Sequence, residues 1–211
     1  MNCLGNYNLL NPLLSCDDSK NRGEWKYESL REKLLEHIAL WQKGQSVSHV
    51  SVYFRELNNG PRFGIEDYEN FYPSSLLKVP VMIAILHDAD LQPHLLDESI
   101  TSPPTLPTAV NVEEPQETIK PNTTYTVRDL LEKMIVFSDN NSAQLLVQKL
   151  NAAPASGMQN TFLDLGIKSI MNGTEPYVSI QSYASLFPAL YNPGYLSKEL
   201  SQLALSLFSL T

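Results

Sequence analysis

Residues 74–88 leave almost no polar face. Drawn as a helix, Leu76, Leu77, Val79, Val81, Met82, Ile83, Ile85 and Leu86 point in every direction. A helix that is apolar all round must be buried all round. The rest of the chain therefore has to form a shell about this segment. Pro80 falls in its early turns, where a missing N–H costs the fewest backbone bonds.

The flanking patterns supply that shell. Leu30, Leu34, Ile38 and Trp41 recur at helical spacing within 24–44. From His49 to Leu57 the pattern alternates, with Val50, Val52 and Phe54 on one face, which predicts a strand. Asn58-Asn59-Gly60-Pro61 is a turn, and 62–66 returns as a second strand. Residues 100–125 are rich in Pro and Thr and read as a long ordered loop or short extended pieces. Thr126 caps a helix to about Phe137, with Val127, Leu130, Leu131 and Met134 on one face. Further helices are expected over about 141–151, 156–166, 179–191 and 197–210. The last pattern reaches Thr211 with no cap or breaker.

Several helices and two strands are thus expected. Residues 1–23 read as an N-terminal arm and 24–211 as one domain. A net charge of −8 without a basic stripe argues against nucleic acid. No apolar run reaches the ~20 residues of a membrane span. His37, His49, His87 and His94 lack ligand spacing, and Cys3 and Cys16 form no C-x-x-C, so neither a metal nor a cofactor is expected. Leu13-Leu14-Ser15-Cys16 loosely resembles a lipoprotein cleavage box, but no Lys or Arg precedes it.

Ser75-Leu76-Leu77-Lys78 spells S-x-x-K at the start of the apolar helix, and Ser138-Asp139-Asn140 spells S-D-N before the 141–151 helix. Ser75 and Lys78, at i and i+3, share a helix face. A serine hydroxyl needs a base to become a nucleophile, and lysine is a base only once burial has lowered its pKa. An apolar helix supplies that burial. Free N–H groups at the helix start would face a developing oxyanion. S-x-x-K alone is a common string, and either Ser138 or Asp139 could simply cap the next helix. No G-x-S-x-G occurs and no histidine follows Ser138, which leaves little room for a Ser-His-Asp hydrolase.

Phe71-Tyr72-Pro73-Ser74-Ser75-Leu76-Leu77-Lys78-Val79-Pro80, then Tyr125-Thr126-Val127-Arg128-Asp129-Leu130-Leu131, then Ser138-Asp139-Asn140-Asn141-Ser142-Ala143 together resemble the class A β-lactamases and penicillin-binding serine hydrolases. The likeness covers roughly 24–211. It implies an α/β (α+β) fold of the serine β-lactamase/transpeptidase-like type, a helical lobe and an antiparallel-sheet lobe with the site between them. It further implies that Ser75 is the nucleophile, Lys78 its base or proton relay, Ser138 the proton shuttle to the leaving group and Asn140 a substrate contact. Glu175-Pro176 imitates the family's Glu-Pro, which makes Glu175 the candidate deacylating base, on a loop segment (167–178) shorter than the family's.

K-T-G, the family's third signature, is absent from this sequence. The expectation is therefore an N-terminal portion of a longer protein, without the C-terminal sheet strands. The resemblance implies a monomer acting outside the cytoplasmic membrane on a small β-lactam or a peptidoglycan stem peptide. A hydrolase opening the β-lactam ring is the first reading. A D-Ala-D-Ala peptidase-like protein, or an inactive binding domain of the same fold, is the alternative.

Overall fold

The apolar segment becomes the centre of the molecule. A computed structural model describes residues 24–45, 47–57, 61–107, 117–152, 158–165, 167, 169–172 and 175–211. The arm 1–23, with both cysteines, and Asn58-Asn59-Gly60 of the turn lie outside these residues. Helix α2 (Lys78–Leu91) buries Val79, Val81, Met82, Ile83, Ala84, Ile85, Leu86 and Ala89. Around it pack α3 (Val127–Val136), α4 (Asn140–Ala152), α5 (Met158–Asp164) and, further along the chain, α8 (Lys198–Phe208). Leu130, Leu131, Met134, Leu146 and Leu150 are almost wholly buried in the shared core. Each such side chain contributes about 1.5–3 kcal/mol relative to exposure.

Helix α2 begins later than the periodicity predicts. Residues Ser74–Leu77 form a 3-10 turn, and the α-helix starts at Lys78. Ser75 and Lys78 therefore sit on either side of a junction rather than on one α-helix. They still share a face, because 3-10 geometry stacks i over i+3. Pro80 takes the third position of α2, inside the first turn as expected.

A second, smaller core lies elsewhere. Helix α1 (Glu28–Lys43) packs Ile38 and Leu34 against Phe63 and Ile65 of a hairpin, β1 (Val52–Arg55) with β2 (Arg62–Ile65). Leu30 and Trp41, expected on the buried face, are 41% and 49% exposed. The two-stranded hairpin is too narrow to cover the whole stripe.

Among the described residues there are seven short strands, not two, in three small sheets. Part of the Pro- and Thr-rich stretch pairs as β4 (Ser99–Thr101) with β5 (Thr124–Thr126). Strand β3 (Asn70–Phe71) pairs with β7 (Glu175–Ser179), which pairs with β6 (Ser169–Asn172), all antiparallel. The segment expected as a loop before residue 179 is thus a hairpin. These strands are too short to show an alternating pattern in sequence.

The 179–191 helix is two: α6 (Ile180–Ala184) and α7 (Leu186–Tyr191), broken at Ser185. Pro188 lacks the N–H that would bond the carbonyl of Ala184, and its ring crowds that carbonyl. The end of α8 is not left bare either. Ser209 Oγ donates to the Ser206 carbonyl (2.7 Å) and Thr211 Oγ1 to that of Phe208 (2.8 Å). Short hydroxyl side chains replace the glycine cap.

Candidate active site

Two turns with strained backbone bring three sequence-predicted residues together. Ser74 has φ +47° and Ser138 has φ +55°. Ser138 occupies the left-handed position just past α3, where glycine is the usual residue. The amides of Phe137 and Asp139 both donate to the Lys133 carbonyl, which closes the helix around it. Asp139, 1% exposed, then starts α4. Its carboxylate accepts from the amides of Asn141 (3.3 Å) and Ser142 (3.0 Å) and from Ser142 Oγ (2.5 Å). The capping reading of Asp139 is correct, and it coexists with Ser138 turned toward α2.

Lys78 Nζ donates to Ser75 Oγ (3.2 Å), Ser138 Oγ (2.8 Å) and the Ser138 carbonyl (2.5 Å). Ser138 Oγ lies 3.3 Å from Ser75 Oγ, closing a triangle. Both serines are exposed, while Lys78 is buried. Burial pushes the Lys78 ammonium below its usual pKa, and the negative charge of Asp139 opposes part of that shift. The N-terminus of α2 also disfavours a cation there.

The charge state decides the chemistry. As an ammonium, Lys78 spends all three protons on these three oxygens. As a neutral amine it has two N–H groups and a lone pair. The Ser138 carbonyl can only accept, so one N–H stays there. The other can remain on Ser138 Oγ, and the lone pair then faces the Ser75 hydroxyl proton. Neutral Lys78 is arranged as a base.

Residues 30–211 match the beta-lactamase enzyme family. The chain belongs to that family. Its structure is similar to that of a β-lactamase from Chitinophaga pinensis, with 22% identity and a TM-score of 0.69, over 86% of this chain and 69% of that one. A β-lactamase from Sphaerobacter thermophilus is similar at 22% identity and a TM-score of 0.58, over 70% of this chain and 58% of that one. The protein PBP-A is similar at 23% identity and a TM-score of 0.63, over 81% of this chain and 67% of that one. The chain thus spans about three fifths to two thirds of the length of these structures, and the likeness is one of fold: a mixed helical and antiparallel-sheet β-lactamase/transpeptidase fold. No curated protein sequence matches it. No described helix is long and apolar enough to cross a membrane.

Asn140, half-buried, is the first residue of α4, two positions after Ser138. Glu175 is the first residue of β7, on a strand rather than the expected loop. The Leu76 amide already donates to the Pro73 carbonyl (2.9 Å), so it is one helix-start N–H fewer for an oxyanion. Sequence reasoning missed Tyr183, whose hydroxyl donates to the Leu76 carbonyl (3.1 Å) beside the candidate nucleophile. Tyr183 belongs to no motif, and only packing brings it there.

Proposed function

We propose that Ser75 is the nucleophile of an acyl-transfer reaction on β-lactams, with the Ser75–Lys78–Ser138 triangle as the observation that carries the reading. Neutral Lys78 takes the Ser75 proton as Oγ attacks the β-lactam carbonyl carbon. The carbonyl oxygen bears the negative charge of the tetrahedral intermediate. The C–N bond then breaks, and Ser138 passes a proton to the departing nitrogen while taking one from Lys78. The product is an ester on Ser75 and a neutral Lys78. Asn140 contacts the substrate amide. A proton relay of this kind accelerates a step by about 10²–10⁴-fold.

Whether the ester is hydrolysed depends on a base for the incoming water. The ladder pairing of β3 and β7, Asn70 with Ser179 and Phe71 with Val178, supports Glu175 in that role. The Tyr72 and Tyr177 rings meet edge-on at 6.2 Å, in keeping with the same register one step further. Strand β7, which opens at Glu175, is thereby tied to the strand that leads into the Ser74–Leu77 turn. The second reading is a penicillin-binding protein that acylates and stalls. It is favoured by Glu175 standing on a strand and by the likeness to PBP-A, a variant of which is known as an acyl-enzyme complex with penicillin G. Substrates of either kind, β-lactams or peptidoglycan stem peptides, place the protein outside the cytoplasmic membrane.

The test is intact-protein mass after mixing with benzylpenicillin, with Ser75→Ala as the control. A persistent adduct lost in Ser75→Ala means acylation without turnover. Drug consumed with no lasting adduct means a β-lactamase. Neither, in folded protein, sinks both readings and leaves a binding domain.

A further inference from the structure

The turn that carries Ser75 is gripped at both ends by one distant segment. Ahead of it, Asn70 and Phe71 are paired with Ser179 and Val178 of β7. Behind it, the Leu76 carbonyl accepts from the Tyr183 hydroxyl at 3.1 Å, across 107 residues of sequence. The stretch between the two grips contains Ser74, at φ +47°. Such a conformation persists in a non-glycine residue only when its surroundings hold it.

Within its own turn the Leu76 carbonyl accepts from the Lys78 amide. In an α-helical ladder it would accept from the amide four residues on. That residue is Pro80, which has no N–H. The Tyr183 hydroxyl is a second donor to that carbonyl, and it comes from outside the turn.

Tyr183 is itself well held. Ser179 caps α6, its Oγ accepting from the Ser182 amide at 3.2 Å. The Gln181 amide donates to the Asp67 carbonyl at 3.0 Å. The Tyr183 ring meets Phe187 edge-on, with centroids 5.9 Å apart.

We propose that Tyr183 is a positioning residue for the Ser75 nucleophile, acting through its hydrogen bond to the Leu76 carbonyl; this rests on Ser75 being the nucleophile. The ring does not touch the reacting atoms. It keeps the 74–77 turn closed, so that Ser75 Oγ stays within reach of both Lys78 and Ser138. Burial pushes the Tyr183 phenol well above its usual pKa, so it remains a donor at working pH.

The experiment compares Tyr183→Phe with the parent chain, with Tyr27→Phe as a hydroxyl deletion in the other core. Phe keeps the ring and its contact with Phe187. The readouts are the acylation rate constant with benzylpenicillin, the apparent affinity, amide exchange over residues 72–79, and the melting temperature. The expected result is acylation slowed about tenfold at unchanged affinity, with faster exchange confined to 72–79. Adding Pro80→Ala to Tyr183→Phe offers the Leu76 carbonyl a second donor again, the amide four residues on, and should restore most of the rate and the protection. Unchanged acylation overturns the proposal, and so does slowed acylation with unchanged exchange. If Tyr183→Phe does not fold, the double variant decides: recovery supports the proposal and no recovery overturns it. If the parent itself is never acylated, Ser75 as nucleophile falls, and exchange over 72–79 alone judges the clamp.

Discussion

Lys78 Nζ lies 2.8 Å from Ser138 Oγ, although the two residues are 60 positions apart in sequence. The bond joins the first residue of the central helix to the strained turn between α3 and α4. It also makes the behaviour of the candidate site depend on the protonation of one buried amine.

Acylation should rise with pH and level off below 10.5, the ordinary lysine value, because the neutral amine is the base and burial lowers its pKa. The sign for stability follows from the same shift. Between the lowered folded pKa and 10.5 the unfolded chain binds more protons, so stability rises with pH across that window. Lys78→Met lacks the penalty. It should be inactive, at least as stable as the parent near neutrality, and its advantage should shrink as pH climbs to 10.5. Rate–pH profiles and melts in matched buffers check both.

Asp139→Asn should act on two observables at once. It removes the negative charge that raises the Lys78 pKa, so the midpoint of the acylation profile moves to lower pH. It also weakens the cap on α4, where one carboxylate satisfies the Asn141 and Ser142 amides. The cost should be about 1–3 kcal/mol, read by urea melts. A midpoint that stays put would disprove the electrostatic coupling.

Ser138→Gly should separate fold from chemistry. Glycine relieves the φ of +55°, and the variant should gain up to about 1 kcal/mol. Acylation should nevertheless fall by about 10² or more, for want of the proton relay. A variant that acylates at the parental rate would remove Ser138 from the mechanism.

Glu175→Gln bears on the fate of the ester. If Glu175 activates water, the variant should acylate at the parental rate and hold the adduct about 10²-fold longer or more. Time-resolved intact mass after a penicillin pulse reads this directly. An adduct of unchanged lifetime assigns the chain to the penicillin-binding reading, or deacylation to another group.

The apolar run around Met82 and Ile83 by itself determined that α2 is buried and central, since a side chain's cost of exposure is a property of the residue. Thr126 likewise announced its helix start, and for α4 the choice was narrowed to Ser138 or Asp139, because a cap bonds amides only two or three residues away. Ser75, Lys78 and Ser138 were legible as a motif, yet their triangle was not, for it needs the α3–α4 turn folded onto the head of α2. Tertiary structure alone decided that β3 pairs with β7 and that the Tyr183 hydroxyl reaches the Leu76 carbonyl. Those bonds join residues about a hundred positions apart, and they exist only where the packed helices hold both groups within reach.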